Sequence, residues 1–84
     1  MAGNAFEEID CHGMTVQEAL QAVGRKVRNA DPSVYVIRVI HGFHGGTRIR
    51  DAVIDEYSHG ENPKVKEVHG GFNEGITELV LKPL

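Results

Sequence analysis

The sequence predicts a small α/β domain with the element order β-α-β-α-β-β. Three observations carry that reading. Two stretches space their apolar residues as helices do, and they alternate with short extended stretches rich in β-branched residues. Loops bearing glycine and histidine, "DCHGMT" and "HGFHGGTR", lead from each of the first two strands into a helix. A short turn, "GGFNEG" at 70–75, joins the last two strands. The two β-α-β connections make strands 1, 2 and 3 parallel, with right-handed crossovers. The short turn makes strand 4 antiparallel to strand 3.

Residues 6–10, "FEEID", form the first strand and end at the glycine turn "CHG". Thr15-Val16-Gln17-Glu18 reads as a capping box, with the Thr15 hydroxyl at a helix start and Glu18 reaching back. Val16, Ala19, Leu20, Val23, Val27 and Ala30 follow at helical spacing, and Asp31-Pro32 ends the helix. Gly24 inside it costs about 1 kcal/mol relative to alanine, so a close packing contact is expected there. "VYVIRVI", 34–40, is almost continuously apolar, as a central strand is. Alternation places Tyr35, Ile37 and Val39 on one face, assigned to the core. Val34, Val36, Arg38 and Ile40 fall on the other.

After the second loop, Thr47 or Gly46 caps a helix whose apolar stripe is Ile49, Ala52, Val53 and Tyr57. Gly60 suits the position just past its end, with Pro63 beyond. "KVKEV", 64–68, carries charges that suit a sheet edge. "ITELVLK", 76–82, is the last strand, with Thr77, Leu79 and Leu81 on one side.

The chain has 84 residues, a formal net charge of −3, 40% hydrophobic and 25% charged residues, which argues for one folded domain and against disorder. A net negative charge excludes a polybasic nucleic-acid binder, so any attraction for phosphate must come from local patterning. The lone Cys11 excludes a disulfide framework. The N-terminus lacks the basic start and apolar run of a signal peptide, and no stretch approaches the roughly 18 apolar residues of a membrane span. A reduced, cytoplasmic protein with no membrane partner is the expectation.

Parallel strands send their following loops to one edge of the sheet, where sites form in open α/β sheets. Three loops bearing glycine and histidine therefore line one rim. Asp10 and His12 leave strand 1 on a common face. An acid beside an imidazole orients a general base or binds a metal, while Asp10 at a strand–turn junction equally suits bonding to backbone amides. Cys11, pointing the other way, suits a small buried role. His41 ends strand 2, and His44 lies in the loop. Gly42, Gly45 and Gly46 permit left-handed backbone and close approach of a ligand. The loop runs into a helix N-terminus, which favours an anion, and Arg48 and Arg50 in the first turn have the planar donors that suit phosphate. His12, His41, His44 and Asp10 are zinc-type ligands, but no C-x2-C or H-x3-H pair anchors them. His59 suits the end of helix 2, His69 supports the turn before strand 4, and Lys64 and Lys66 suit edge protection or phosphate contact.

Taken together, these motifs resemble the Smr (small MutS-related) domain family. "IDCHGMTVQEAL" is similar to the D-L-H-G-hydrophobic-T-x-x-E-A opening of Smr domains, "VIRVIHGFHGGTRIRDAV" to their hydrophobic-I-H-G-x-G-x-G-x-L-R signature, and "HGGFNEGITELVLK" to their closing turn and strand. The likeness covers roughly 7–83, as in a minimal, stand-alone member filling 1–84. It departs at Cys11, at His44 where glycine is usual, and in one extra residue before Ile49 and Arg50.

The resemblance implies a two-layer sandwich like the C-terminal domain of bacterial translation initiation factor three, with strand order 1-2-4-3. The apolar strands 2 and 4 then sit centrally, and both helices cover one face. The open face carries Arg38 beside Glu78, with Val34, Val36, Ile40, Ile76 and Val80 as a candidate self-association patch. The resemblance further implies a nucleic-acid-binding domain with endonuclease activity. Some Smr domains act on branched or duplex DNA in recombination and repair, and others cleave mRNA on stalled ribosomes. Asp10 and His12 match the D-x-H motif, His41, Gly42 and Gly46 the loop, and Arg50 the arginine after it. The catalytic candidates are thus Asp10, His12 and His41. The phosphate-binding candidates are Gly42, His44, Gly45, Gly46, Arg48 and Arg50. A divalent metal ion held by Asp10, His12 and His41 is one route, and metal-free cleavage through a 2′-hydroxyl is another. The alternatives are a non-catalytic module that binds nucleic acid or the ribosome, and a small metal-binding or interaction protein.

Overall fold

A computed structural model describes residues 5–42, 46–70 and 73–82. The elements are β1 (Phe6–Asp10), α1 (Val16–Arg28), β2 (Val36–Ile40), α2 (Arg48–Tyr57), β3 (Glu67–Gly70) and β4 (Ile76–Val80). The sheet order is β1-β2-β4-β3, with β1 parallel to β2, and β4 antiparallel to both β2 and β3. This is the order that the family resemblance implies, and apolarity agrees with it. The strands whose residues are buried on both faces, β2 and β4, are the inner pair, and the charged strands lie at the edges.

Both helices pack on one face of the sheet. Ala19, Val23 and Val27 of α1 and Val53 and Tyr57 of α2 close over Ile37, Val39, Leu79 and Leu81. Cys11 lies in the same core, fully buried, where burial pushes its thiol pKa up and keeps it from acting as a nucleophile. The capping box of α1 forms as predicted: Thr15 Oγ1 accepts from the Glu18 N–H at 3.1 Å, and Glu18 Oε1 accepts from the Thr15 N–H at 2.9 Å. The close packing contact expected at Gly24 is not found: an added Cβ would lie 3.4 Å from Arg28 Nη1 and 3.8 Å from the Tyr57 hydroxyl, ordinary van der Waals distances.

Three other local expectations need correction. Val34 belongs to the core, 1% exposed, and not to the open face. It precedes β2, in a turn where its N–H donates to the Asp31 carbonyl, so strand alternation does not reach it. The third strand occupies 67–70 rather than 64–68. Lys64 lies before it and donates to the carbonyls of Arg28 (2.8 Å) and Val27 (3.4 Å), closing the C-terminal end of α1. Gly60 does adopt φ +74°, but two residues beyond the helix cap Ser58, not next to it.

On the open face, Arg38 Nε lies 3.1 Å from Glu78 Oε2, as the neighbouring strands predicted, and the guanidinium also sits over the Phe6 ring. Glu8, Arg38, Glu78 and His69 stand in one row across the four strands. Val36 and Val80 are buried on this face, and Ile40 and Ile76 are half-buried, so the apolar patch expected there is smaller than the sequence suggests. No helix among the described residues is long and apolar enough to cross a membrane.

Candidate functional site

The loops after β1 and β2 leave the same rim of the sheet, and a cleft opens between them. Its volume is about 990 Å³. Met14, Val16, Ile40 and Ile49 give it an apolar floor. His12, Gly42, Gly46, Arg48 and Arg50 surround that floor with polar and flexible groups.

His12 lines the cleft, and Asp10, at the end of β1, stands behind it. The Asp10 carboxylate accepts from His12 Nδ1 at 2.6 Å and from the His12 backbone N–H at 3.1 Å. Both readings of Asp10 are thus realised by one oxygen, which closes the turn and orients the ring. The side-chain bond to Asp10, and then its charge, raise the pKa of His12 above the ordinary 6.5. The bonds from His12 in turn hold Asp10 below its ordinary 3.8. With Nδ1 donating to the carboxylate, Nε2 is the nitrogen left for chemistry. Both side chains are more than half exposed, so solvent and a large ligand reach them freely.

His41 is held differently. It is 8% exposed, and both ring nitrogens are engaged inside the chain: Nδ1 with the Gly42 carbonyl and Nε2 with Thr77 Oγ1, each at 2.8 Å. The residue lines the cleft without offering a free nitrogen to it. The N–H groups of His41 and Gly42 both donate to the Gly75 carbonyl, at 2.9 and 3.0 Å, which ties the second loop to the start of β4. Gly42 (φ +72°) and Gly46 (φ +96°) occupy left-handed backbone, where a side chain would be strained. His44 and Gly45, expected to take part in phosphate binding, lie outside the described residues.

The N-terminal end of α2 opens onto the cleft. Thr47 stands at the cap position, yet its side chain caps no backbone N–H. Its hydroxyl donates to Asp51 Oδ2 at 2.8 Å. Arg50 leans on Asp51 as well, with Nε and Nη2 each 3.3 Å from Oδ1. Arg48 makes no ion pair among the described residues, and its side chain is exposed. Two guanidinium groups and an uncapped helix start thus face the same space as His12.

No three His, Cys, Asp or Glu side chains gather as a metal-ligand set among the described residues. Asp10 and His12 bind each other through Oδ1 and Nδ1, which leaves His12 Nε2 and Asp10 Oδ2 unengaged by that contact, while both ring nitrogens of His41 are engaged within the chain. Lys64, weighed for phosphate contact, lies at the far end of α1. His59 pairs with Asp55 at 3.3 Å, and His69 pairs with Glu67 at 2.6 Å on the open face, both outside the cleft. Sequence reasoning missed Thr77 and Gly75 as parts of the site. Thr77 looked like an ordinary core-facing strand residue, and its one signal was a hydroxyl at a buried position.

No protein-family model and no curated relative matches the chain. Among solved structures, the crystal structure of the Smr domain of Thermus thermophilus MutS2 is similar, with a TM-score of 0.77 and 27% sequence identity over 92% of this chain and 99% of that one. At that coverage the likeness takes in the domain as a whole, and it agrees with the fold expected from the motifs.

Proposed function

The chain belongs to the Smr (small MutS-related) domain family, and from that premise we propose that it binds nucleic acid at the rim cleft and cleaves a phosphodiester there. One observation carries the reading: His12, oriented by Asp10, lines a cleft together with Arg48, Arg50 and an uncapped helix start. A backbone phosphate brings the negative charge that such an end attracts, and guanidinium groups hold it through paired donors. His12 Nε2 then takes a proton from the attacking oxygen, whether a water or a 2′-hydroxyl, as that oxygen bonds to phosphorus and the opposite P–O bond breaks, the leaving oxygen taking its proton from solvent. Asp10 keeps the ring in the right tautomer and steadies the imidazolium that forms. The Arg48 and Arg50 side chains and the first-turn N–H groups of α2 stabilise the charge that gathers on the phosphate oxygens. His41 supports the loop backbone and moves no proton.

The test is a pair of assays, nicking of supercoiled plasmid and cleavage of a single-stranded RNA, each with and without divalent ions. Cleavage of either substrate that disappears in His12→Ala supports the reading. Binding of both nucleic acids with no cleavage leaves the non-catalytic module, which the internal commitment of His41 favours. Absence of both binding and cleavage removes the nucleic-acid reading altogether. Involvement in DNA repair or with ribosomes is a further step, read by whether branched DNA or ribosome-bound mRNA is preferred over the simple substrates.

A further inference from the structure

Thr77 is a buried hydroxyl that the cleavage chemistry does not use. It lies on β4 opposite Val39, 1% exposed, among apolar neighbours. Valine would fill the same volume, suit a strand better and bring no polar atom to desolvate. The hydroxyl is therefore kept for its partner, and that partner is His41.

The partner's tautomer follows from its contacts. A carbonyl oxygen only accepts, so the proton in the bond to Gly42 sits on His41 Nδ1. In the neutral ring Nε2 then holds the lone pair and accepts the Thr77 O–H. The line continues outward. Gly42, at φ +72°, is gripped through its carbonyl by the ring and through its N–H by Gly75. A Cβ on Gly42 would lie 3.7 Å from the Cβ of His12. A buried hydroxyl on β4 is thus joined, through one ring and one peptide, to the wall against which the exposed pair stands.

We infer that Thr77 is a positioning residue of the cleft: through the His41 ring it fixes the direction of the Gly42 carbonyl, and with it the glycine wall beside His12. The inference rests on the reading of the cleft as the nucleic-acid site. Without the hydroxyl, Nε2 is a buried acceptor with no donor, and the ring keeps its Nδ1 proton but is held in place by the Gly42 carbonyl alone.

Two substitutions separate hydroxyl from volume. Thr77→Val keeps the shape and removes the O–H. Thr77→Ser keeps the O–H and removes a buried methyl. For each, the ring ¹⁵N shifts of His41, the amide resonance of Gly42, the Kd for a single-stranded oligonucleotide and the Tm are measured. Thr77→Val is expected to move the His41 Nε2 ¹⁵N shift, because that lone pair loses its donor while Nδ1 stays protonated against the Gly42 carbonyl, to move the Gly42 resonance, and to weaken binding by up to roughly tenfold, as loss of one hydrogen bond does. Thr77→Ser is expected to match the wild type in all three, although its Tm is lower. A Thr77→Val protein that keeps both the Nε2 shift and the Gly42 resonance overturns the inference. So does a Kd that tracks Tm across the two variants. A wild-type protein that binds no nucleic acid defeats the reading of the cleft instead, and the His41 and Gly42 resonances then still decide whether Thr77 holds the loop.

Discussion

Two helices start from the same rim, each behind a threonine, and only one of them closes its own end. In α1 the sequence Thr15-Val16-Gln17-Glu18 puts a long acid at the third helical position, where it reaches back to the Thr15 N–H while the hydroxyl takes the Glu18 N–H. In α2 the sequence is Thr47-Arg48-Ile49-Arg50-Asp51. The third position is an arginine, and the acid comes one residue later on a shorter stem. From there Asp51 draws the Thr47 hydroxyl as an acceptor draws a donor, and the hydroxyl no longer accepts from the backbone. A shift of one residue turns a sealed end into an open one. The sealed end supports the fold, while the open end, flanked by Arg48 and Arg50, is left for an outside anion.

The strongest test of this division asks whether the loop before α1 supplies the proton chemistry. His12→Ala is expected to lower cleavage by roughly 10²–10⁴, with binding retained because the open end of α2 is intact. The pH profile sharpens the point. A base must be neutral, and Asp10 raises the His12 pKa, so cleavage rises as pH climbs through a value above 6.5. In Asp10→Asn the raising carboxylate is gone, and that limb of kcat/KM against pH moves to lower pH. A limb that stays in place would assign the titration to another group.

Next in size is the anion site itself. Replacing Arg48 and Arg50 together by alanine is expected to weaken oligonucleotide binding and to flatten the plot of log K against log salt by about 0.7–0.9 for each phosphate no longer neutralised. Thr15→Ala leaves that slope unchanged, because the α1 end takes no anion. Its effect is on stability: about 1 kcal/mol by denaturant unfolding, the usual loss for a working N-cap. Thr47→Ala costs less, since its hydroxyl contacts only an exposed carboxylate. Equal losses in the two variants would erase the distinction between the ends. The smallest effect is a gain. Gly24→Ala has room, with 3.4 Å to Arg28 Nη1 and 3.8 Å to the Tyr57 hydroxyl, and it strengthens the body of α1 by about 0.5–1 kcal/mol without touching either end. Its Kd for nucleic acid stays at the wild-type value.

What could be read from the sequence was local or periodic. The Thr15 box depends on four consecutive residues. The buried faces of α1 and β4 follow from spacing, and the Arg38–Glu78 pair follows from strand order. The Asp10–His12 contact needed only alternation at a strand end and a turn. Long-range contacts hid the rest. Nothing beside His41 announces that Thr77, on another strand, takes one nitrogen while the next peptide takes the other. Val34 obeyed a strand pattern before the strand had begun. Lys64 looked like an edge charge because its partners are the last carbonyls of a helix far back in the chain.

That lysine orders events as well as atoms. It lies 36 residues from the Arg28 carbonyl it covers, and all of β2 and α2 lies between them. Closing a loop of that length costs chain entropy before any contact returns it. The Arg28 carbonyl thus owes its cover to a residue of the other half of the chain, and until that half has folded back only water can take its place.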